Sequence, residues 1–288
     1  MKKHLALLLI FVTLCTFGQK KKTAAVTEKP KEVAVTEKGP DLSGFKFRSV
    51  GPSFMSGRII DLAHNPSKSS EYYVAVASGG VFKTTNGGTT FQPFFENYGA
   101  FSVGCVTLDP QNLNVVWVGT GEANNQRSVG YGDGIYKSED GGETWEKIMK
   151  GLPSVHLGGM GIDISPVNPD VLYIILEAAE GHSGFYRSTN RGATWDKMSD
   201  YASSGQYFNE IFCDPKDVNK VYSMEVVSKV TTDAGKTWVN LGVSDRHVDD
   251  HALWINPANT EHLLIGGDGG IYESFDSGKS WDFKENLP

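Results

Sequence analysis

The chain has 288 residues, 33 Gly, only 3 Cys and a formal net charge of −7, which excludes a disulfide-stapled miniprotein and leaves length enough for a large core. Residues 1–40 hold eight Lys against three Glu, so the rest of the chain carries −12. An acidic body of that size argues against nucleic acid or an anionic membrane as partner.

Residues 1–18 open on Met1, Lys2 and Lys3, run through an apolar stretch at 5–17 and reach Gly18 before Gln19. This reads as a secretory signal peptide, too short and wrongly flanked for a membrane span, and it predicts export to the periplasm or beyond the cell. Cys15 follows Leu14 inside the apolar run, where a lipidation signal needs a small residue. Residues 19–40 repeat AVTEK and contain no aromatic, so they read as a disordered Lys/Glu-rich leader. The remaining thiols, Cys105 and Cys213, occupy different offsets in their repeats and read as separate buried cysteines.

From residue 41 onward one pattern returns five times: TTNGGTTF (84–91), SEDGGETW (138–145), STNRGATW (188–195), TTDAGKTW (231–238) and SFDSGKSW (274–281). Its closing aromatics are 54, 50, 43 and 43 residues apart, the length of a four-stranded propeller blade. Within each repeat an apolar strand ends at Asn65-Pro66, Asp109-Pro110, Ser165-Pro166, Asp214-Pro215 or Asn256-Pro257. Second strands are predicted at 72–77, 115–119, 171–176, 220–224 and 262–266, and third strands at 80–83, 134–137, 184–187, 227–230 and 270–273. A fourth strand follows each repeated turn. The fold class is therefore all-β, a β-propeller of antiparallel blades at 41–288, with about five blades present. Because an arc of five need not close, the reading is an incomplete propeller, part of a longer one, prone to self-association through its open edges.

Antiparallel strands put the repeated turns and the Pro turns on one side. The loops between second and third strands, and those between blades, share the other. From each Pro to its closing aromatic the blades count 25, 35, 29, 23 and 24 residues, so blade two carries about ten extra residues at 119–134. Variable loops are where ligands bind on a uniform scaffold.

In the turns, Asn86, Asp140, Asn190, Asp233 and Asp276 can accept backbone hydrogen bonds. Gly88, Gly142, Gly192, Gly235 and Gly278 supply positive φ, and the aromatic is expected to cover its own hairpin with its edge wet. These carboxylates read as structural. Ligand candidates lie on the opposite side: Arg58, Glu122, Asn124 and Arg127 mix acceptors with a planar donor fork, and Glu122 with Arg127 also suits a simple loop-holding pair. His247, Asp249 and His251 alternate before the first strand of blade five. If extended, the outer two stand roughly 13 Å apart, too far to share a metal, and ligand contact or ordinary polar packing remain. GKT at 235–237 and GKS at 278–280 lack the upstream glycine of a phosphate loop. No cofactor or metal is expected.

The repeated turn resembles the Asp box, or BNR repeat, of sialidases, sortilin (VPS10) domains, xyloglucanase-like glycosyl hydrolases and a photosystem II assembly factor. The sortilin likeness implies an exported binding or scaffold module for a peptide, protein or glycan; the xyloglucanase likeness implies a glycoside hydrolase acting on polysaccharide. For the enzyme, the resemblance places a catalytic Asp two residues before Gly79-Gly80, where this chain has Ala77, and offers Asp249 or Asp250 for the second acid. For a sialidase, the six Arg leave only Arg48, Arg58, Arg127 and Arg246 to form an arginine cluster. The assembly factor's basic surface is at odds with this acidic domain. The binding module is thus the leading expectation and the hydrolase its rival.

Overall fold

A computed structural model describes residues 57–123, 130–203, 209–244 and 246–285. Residues 1–40, read above as signal peptide and leader, together with Asn124 and Arg127, lie outside the described residues. Five four-stranded antiparallel sheets follow one another along the chain. Blade one comprises β1 (Ile59–His64), β2 (Tyr72–Val76), β3 (Gly80–Thr84) and β4 (Gln92–Pro93). Blade two has β5 (Val103–Leu108), β6 (Val116–Thr120), β7 (Ile135–Ser138) and β8 (Glu146–Ile148), and blade three has β9 (Leu157–Ile164), β10 (Leu172–Ala178), β11 (Gly184–Ser188) and β12 (Asp196–Ser199). Blade four is the shortest, with β13 (Ile211–Cys213), β14 (Val221–Ser223), β15 (Lys229–Thr231) and β16 (Val239–Asn240); blade five has β17 (Asp250–Ile255), β18 (Leu263–Gly267), β19 (Gly270–Ser274) and β20 (Asp282–Phe283). A 3-10 turn at Ala179–Gly181 is the helical element among the described residues, and none of their helices is long and apolar enough to cross a membrane.

The second strands are almost continuously apolar, YYVAV in β2 and LYIILEA in β10, and buried along nearly their whole length. Buried clusters fill the seams in turn. Ala75, Val81 and Phe95 meet Val106 and Val118 between blades one and two. Trp117 and Cys105 meet Met160 and Ile174 in the next seam, Tyr173 and Phe185 meet Cys213 and Val221 in the third, and Tyr222 and Met224 meet Leu253 and Ile265 in the fourth. A buried side chain of this size contributes about 1.5–3 kcal/mol. Cys105 and Cys213 are free, buried and in different seams, as the sequence implied.

The closing aromatics differ from the expectation. They do not lie wet over their own hairpins but plug the seam with the preceding blade: Trp145, Trp195 and Trp281 are buried, and the Trp145 indole donates to Phe94 O of blade one at 2.8 Å. Trp238 meets Phe185 edge to face and lies tilted against Tyr201, both of blade three. Phe91, in blade one, is 45% exposed. Large apolar side chains also remain exposed on the outer faces of the two end blades, Ile59 and Leu62 on blade one and Trp254, Phe275 and Phe283 on blade five.

Candidate functional site

The two sides of the blades carry different chemistry. On the turn side the same bonds recur in each repeat. Ser138 Oγ accepts from Gly142 N at 2.8 Å and donates to Asp140 Oδ1 at 2.7 Å, while Asp140 accepts from Thr144 N and Thr144 Oγ1 at 2.9 and 2.6 Å. Asp233 and Asp276 repeat this with Thr237 and Ser280, and Asn86 and Asn190 substitute an amide that donates to Thr90 and Thr194. Donors crowded on each carboxylate hold Asp140, Asp233 and Asp276 at about 2. Two residues rather than one adopt positive φ in every turn: besides the glycines named above, Gly87, Gly141, Arg191, Ala234 and Ser277 do so. At Gly235 space matters as well as φ, since a Cβ there would lie 2.2 Å from the Phe185 ring.

On the variable side, Arg58 precedes β1 and Glu122 follows β6, and the two form an ion pair that ties blade one to blade two. Glu122 therefore has a partner other than the Arg127 considered from sequence. Around blade five, His251 Nε2 lies 3.2 Å from Asp268 Oδ1, and Asp268 N donates to Asp249 O at 3.1 Å. Asp249 itself has φ +68. Asp268, on the turn between β18 and β19, is a member of this group that sequence reading missed. It sits beside Gly269-Gly270 as Ser78 sits beside Gly79-Gly80, and that correspondence was the available signal. Among the described residues no three His, Cys, Asp or Glu side chains gather as a metal site.

Asp250 and Arg246 are removed from contention as reactive groups. Both side chains are buried and paired with each other. Arg246 also donates to the carbonyls of Leu241, Gly242 and His247 and lies over the Trp281 ring. Ala77, where the resemblance placed a catalytic Asp, is buried; its N–H donates to Arg58 O and its carbonyl accepts from Ser102 Oγ.

The groups sequence reading missed altogether line the centre. The inner strands β1, β5, β9 and β13 border a channel of ≈ 370 Å³ that holds Asp61, Asp163 and Glu210. Asp61 accepts from Val106 N on blade two at 2.8 Å and from Leu62 N at 2.7 Å; Asp163 accepts from Cys213 N on blade four at 2.7 Å and from Ile164 N at 2.8 Å. Each carboxylate brackets two blades. Desolvation raises Asp61, lifts Asp163 to about 6 and, with the negative charge of Asp61, lifts Glu210 to about 7. Asp61 and Glu210 stand at one level, five residues before the Pro of their blades, where the other blades place Cys105, Gly161 and Ala252. A proton-bearing carboxyl and a second carboxyl across a channel are the elements of general acid–base chemistry.

No family profile matches the chain. It is similar to the xyloglucanase Xgh74A of Acetivibrio thermocellus, 26% identical over 245 residues, which cover 80% of this chain and 25% of that protein. It is also similar to a xyloglucanase of Hypocrea jecorina, 24% identical over 263 residues, 86% of this chain and 28% of that protein. The chain thus spans about a quarter of the length of these curated relatives. Among solved structures, an ancestral GH74 enzyme superposes with a TM-score of 0.60 at 19% identity, covering 79% of this chain and 31% of that one. The likeness supports the propeller fold, and the named relatives are glycoside hydrolases rather than sortilins.

Proposed function

We propose that this chain is part of an exported glycoside hydrolase of the xyloglucanase kind, handling a neutral β-glucan-backboned polysaccharide on its variable side. This reverses the order of the two sequence readings. The likeness to xyloglucanases extends over 80–86% of the chain, and the observation that carries the chemistry is the channel pair: Glu210 is our candidate acid and Asp61, at the same level, its partner. Arg58, Glu122, Asp249 and His251 are our candidate glycan contacts on the variable side, with Asn124 and Arg127 retained as sequence candidates. We assign the five turn residues, Asn86, Asp140, Asn190, Asp233 and Asp276, to structure.

The test is release of reducing ends from xyloglucan by the wild-type chain and by Glu210→Gln. Loss of a general acid lowers the rate by on the order of 10²–10⁴. Ala77 favours a second reading, binding without cleavage. Retention on xyloglucan with no release would select that reading; neither retention nor release would overturn both.

A further inference from the structure

A second concave site lies on the variable side of blade two, away from the channel. Between β6 and β7 the chain presents Tyr131, a residue 60% exposed. Scattered exposed aromatics are ordinary on protein surfaces, but this ring is anchored at both ends. Its hydroxyl donates to Gly99 O at 3.2 Å, and the adjoining Gly132 forms a bridge to Leu157, its N–H donating to Leu157 O at 2.8 Å. Anchoring removes much of the side-chain freedom that a ligand would otherwise have to freeze.

The ring borders a cleft of ≈ 420 Å³, within the range of small-molecule sites. Its floor is apolar: Met149, Leu152 and Val155 are half-buried against the seam between blades two and three. One wall is the ion pair Lys147–Asp133 at 2.9 Å, in which Asp133 also accepts the Tyr136 hydroxyl. The pair cancels its own charge, and beside Tyr131 itself His156 is the other titratable side chain in the lining. Lys147 keeps further N–H donors and Asp133 further lone pairs for hydroxyl groups.

We propose that this cleft is an outlying glycan subsite, in which a neutral pyranose ring lays its C–H face on Tyr131 while its hydroxyls reach Lys147 and Asp133. A pyranose has an apolar face and a polar rim, the same division the cleft shows. The subsite rests on the polysaccharide reading above for its ligand class, but it uses none of the residues assigned to cleavage or to the channel.

Retention is measured by electrophoresis through gels cast with xyloglucan, mixed-linkage β-glucan or polygalacturonate, using the full chain carrying Glu210→Gln so that no polymer is consumed. The expected result is retardation by the two neutral glucans. It weakens about tenfold in Tyr131→Ala, the loss of one well-stacked ring, and stays within about threefold of the parent in Tyr131→Phe, which keeps the face. Should Tyr131→Ala not fold, Met149→Trp gives the same reading by filling the floor. Unchanged retention in Tyr131→Ala, no retardation of the parent, or binding of a proline decapeptide in place of glucan would each overturn the subsite. Absence of cleavage by the wild-type chain would sink the hydrolase reading and leave the subsite standing, because the subsite is read by retention alone.

Discussion

The carboxylates of the repeated turns and those of the channel are the same chemical group in opposite surroundings. In the turns each carboxylate meets several donors at the surface, and Asp140, Asp233 and Asp276 are held at about 2. In the channel the inner strands strip water away faster than hydrogen bonds replace it, and Asp163 and Glu210 rise to about 6 and 7. The turns of blades two, four and five therefore use a charge to fix backbone, whereas burial in the centre favours the protonated carboxyl. Asp250 lies outside both cases, since Arg246 compensates its burial directly.

That third case gives the largest expected effect. Arg246→Met leaves Asp250 buried without its cation and uncaps the carbonyls of Leu241 and Gly242. The expected loss is about 3–5 kcal/mol, read as a drop in the denaturant midpoint. A loss below about 1 kcal/mol would mean that Asp250 takes up a proton and the pair is dispensable.

Next comes pH. Asp163 and Glu210 have folded values above their ordinary ones, so their contribution to stability is fully present below about pH 4 and is lost as pH rises through about 6 to 7. The turn aspartates have folded values below the ordinary 3.8, so theirs is present above about pH 4 and is lost as pH falls toward 2. The two groups together place maximum stability between about pH 4 and 6. Melting temperature should rise on acidification from pH 7.5 to 5, and the double variant Asp163→Asn, Glu210→Gln should remove on the order of 2 kcal/mol of that gain. Histidine protonation is common to both chains and cancels in the difference. Equal slopes in the two proteins would place these carboxyls in water.

Much of this contrast was legible in the sequence on the turn side and little of it in the centre. Turn chemistry is local: Ser138, Asp140, Gly142 and Thr144 sit within seven residues, and their types announce their bonds. Channel chemistry is not. The inner strands shift register between Ile59 and Asp61, between Val103 and Cys105 and between Asp250 and Ala252. A single bulge reverses which face an alternating pattern assigns to every residue beyond it, so Asp61 could not be placed by alternation. Glu122 paired with Arg58, 64 positions away in sequence, for a similar reason: blade stacking, not chain proximity, chose its partner. The closing tryptophans were recognised as motif residues but assigned to the wrong surface, because their own hairpins are exposed and only the preceding blade offers a pocket.

A milder perturbation of the turns separates their bonds from their backbone. Asp140→Ala removes the acceptor for Thr144 N and Thr144 Oγ1 and should cost about 1–2 kcal/mol. Asp233→Ala should match it, since Thr237 repeats both contacts. Glucan retention should be unchanged in both, and a variant that kept its melting temperature but lost retention would move these residues to the ligand.

The smallest expected effect concerns the residue before each turn glycine. Blades one and two place Gly87 and Gly141 there, whereas Arg191, Ala234 and Ser277 adopt the same left-handed backbone with a side chain. That conformation costs a non-glycine residue on the order of 1 kcal/mol. Arg191 recovers it through ion pairs to Asp109 and Asp170 at 2.8 and 2.7 Å, and Ala234 is buried in the seam between blades three and four. Ser277 has neither an ion pair nor a place in a seam cluster. Ser277→Gly relieves the backbone at the expense of a looser unfolded chain, so the gain should be no more than about 0.5 kcal/mol. Arg191→Gly should instead destabilise by about 1 kcal/mol or more, because it strips the buried Asp109 carboxylate of its cation. Thermal melts of the two variants side by side decide whether strain or pairing governs these turns, and stabilisation in both would show that the Arg191 ion pairs contribute nothing.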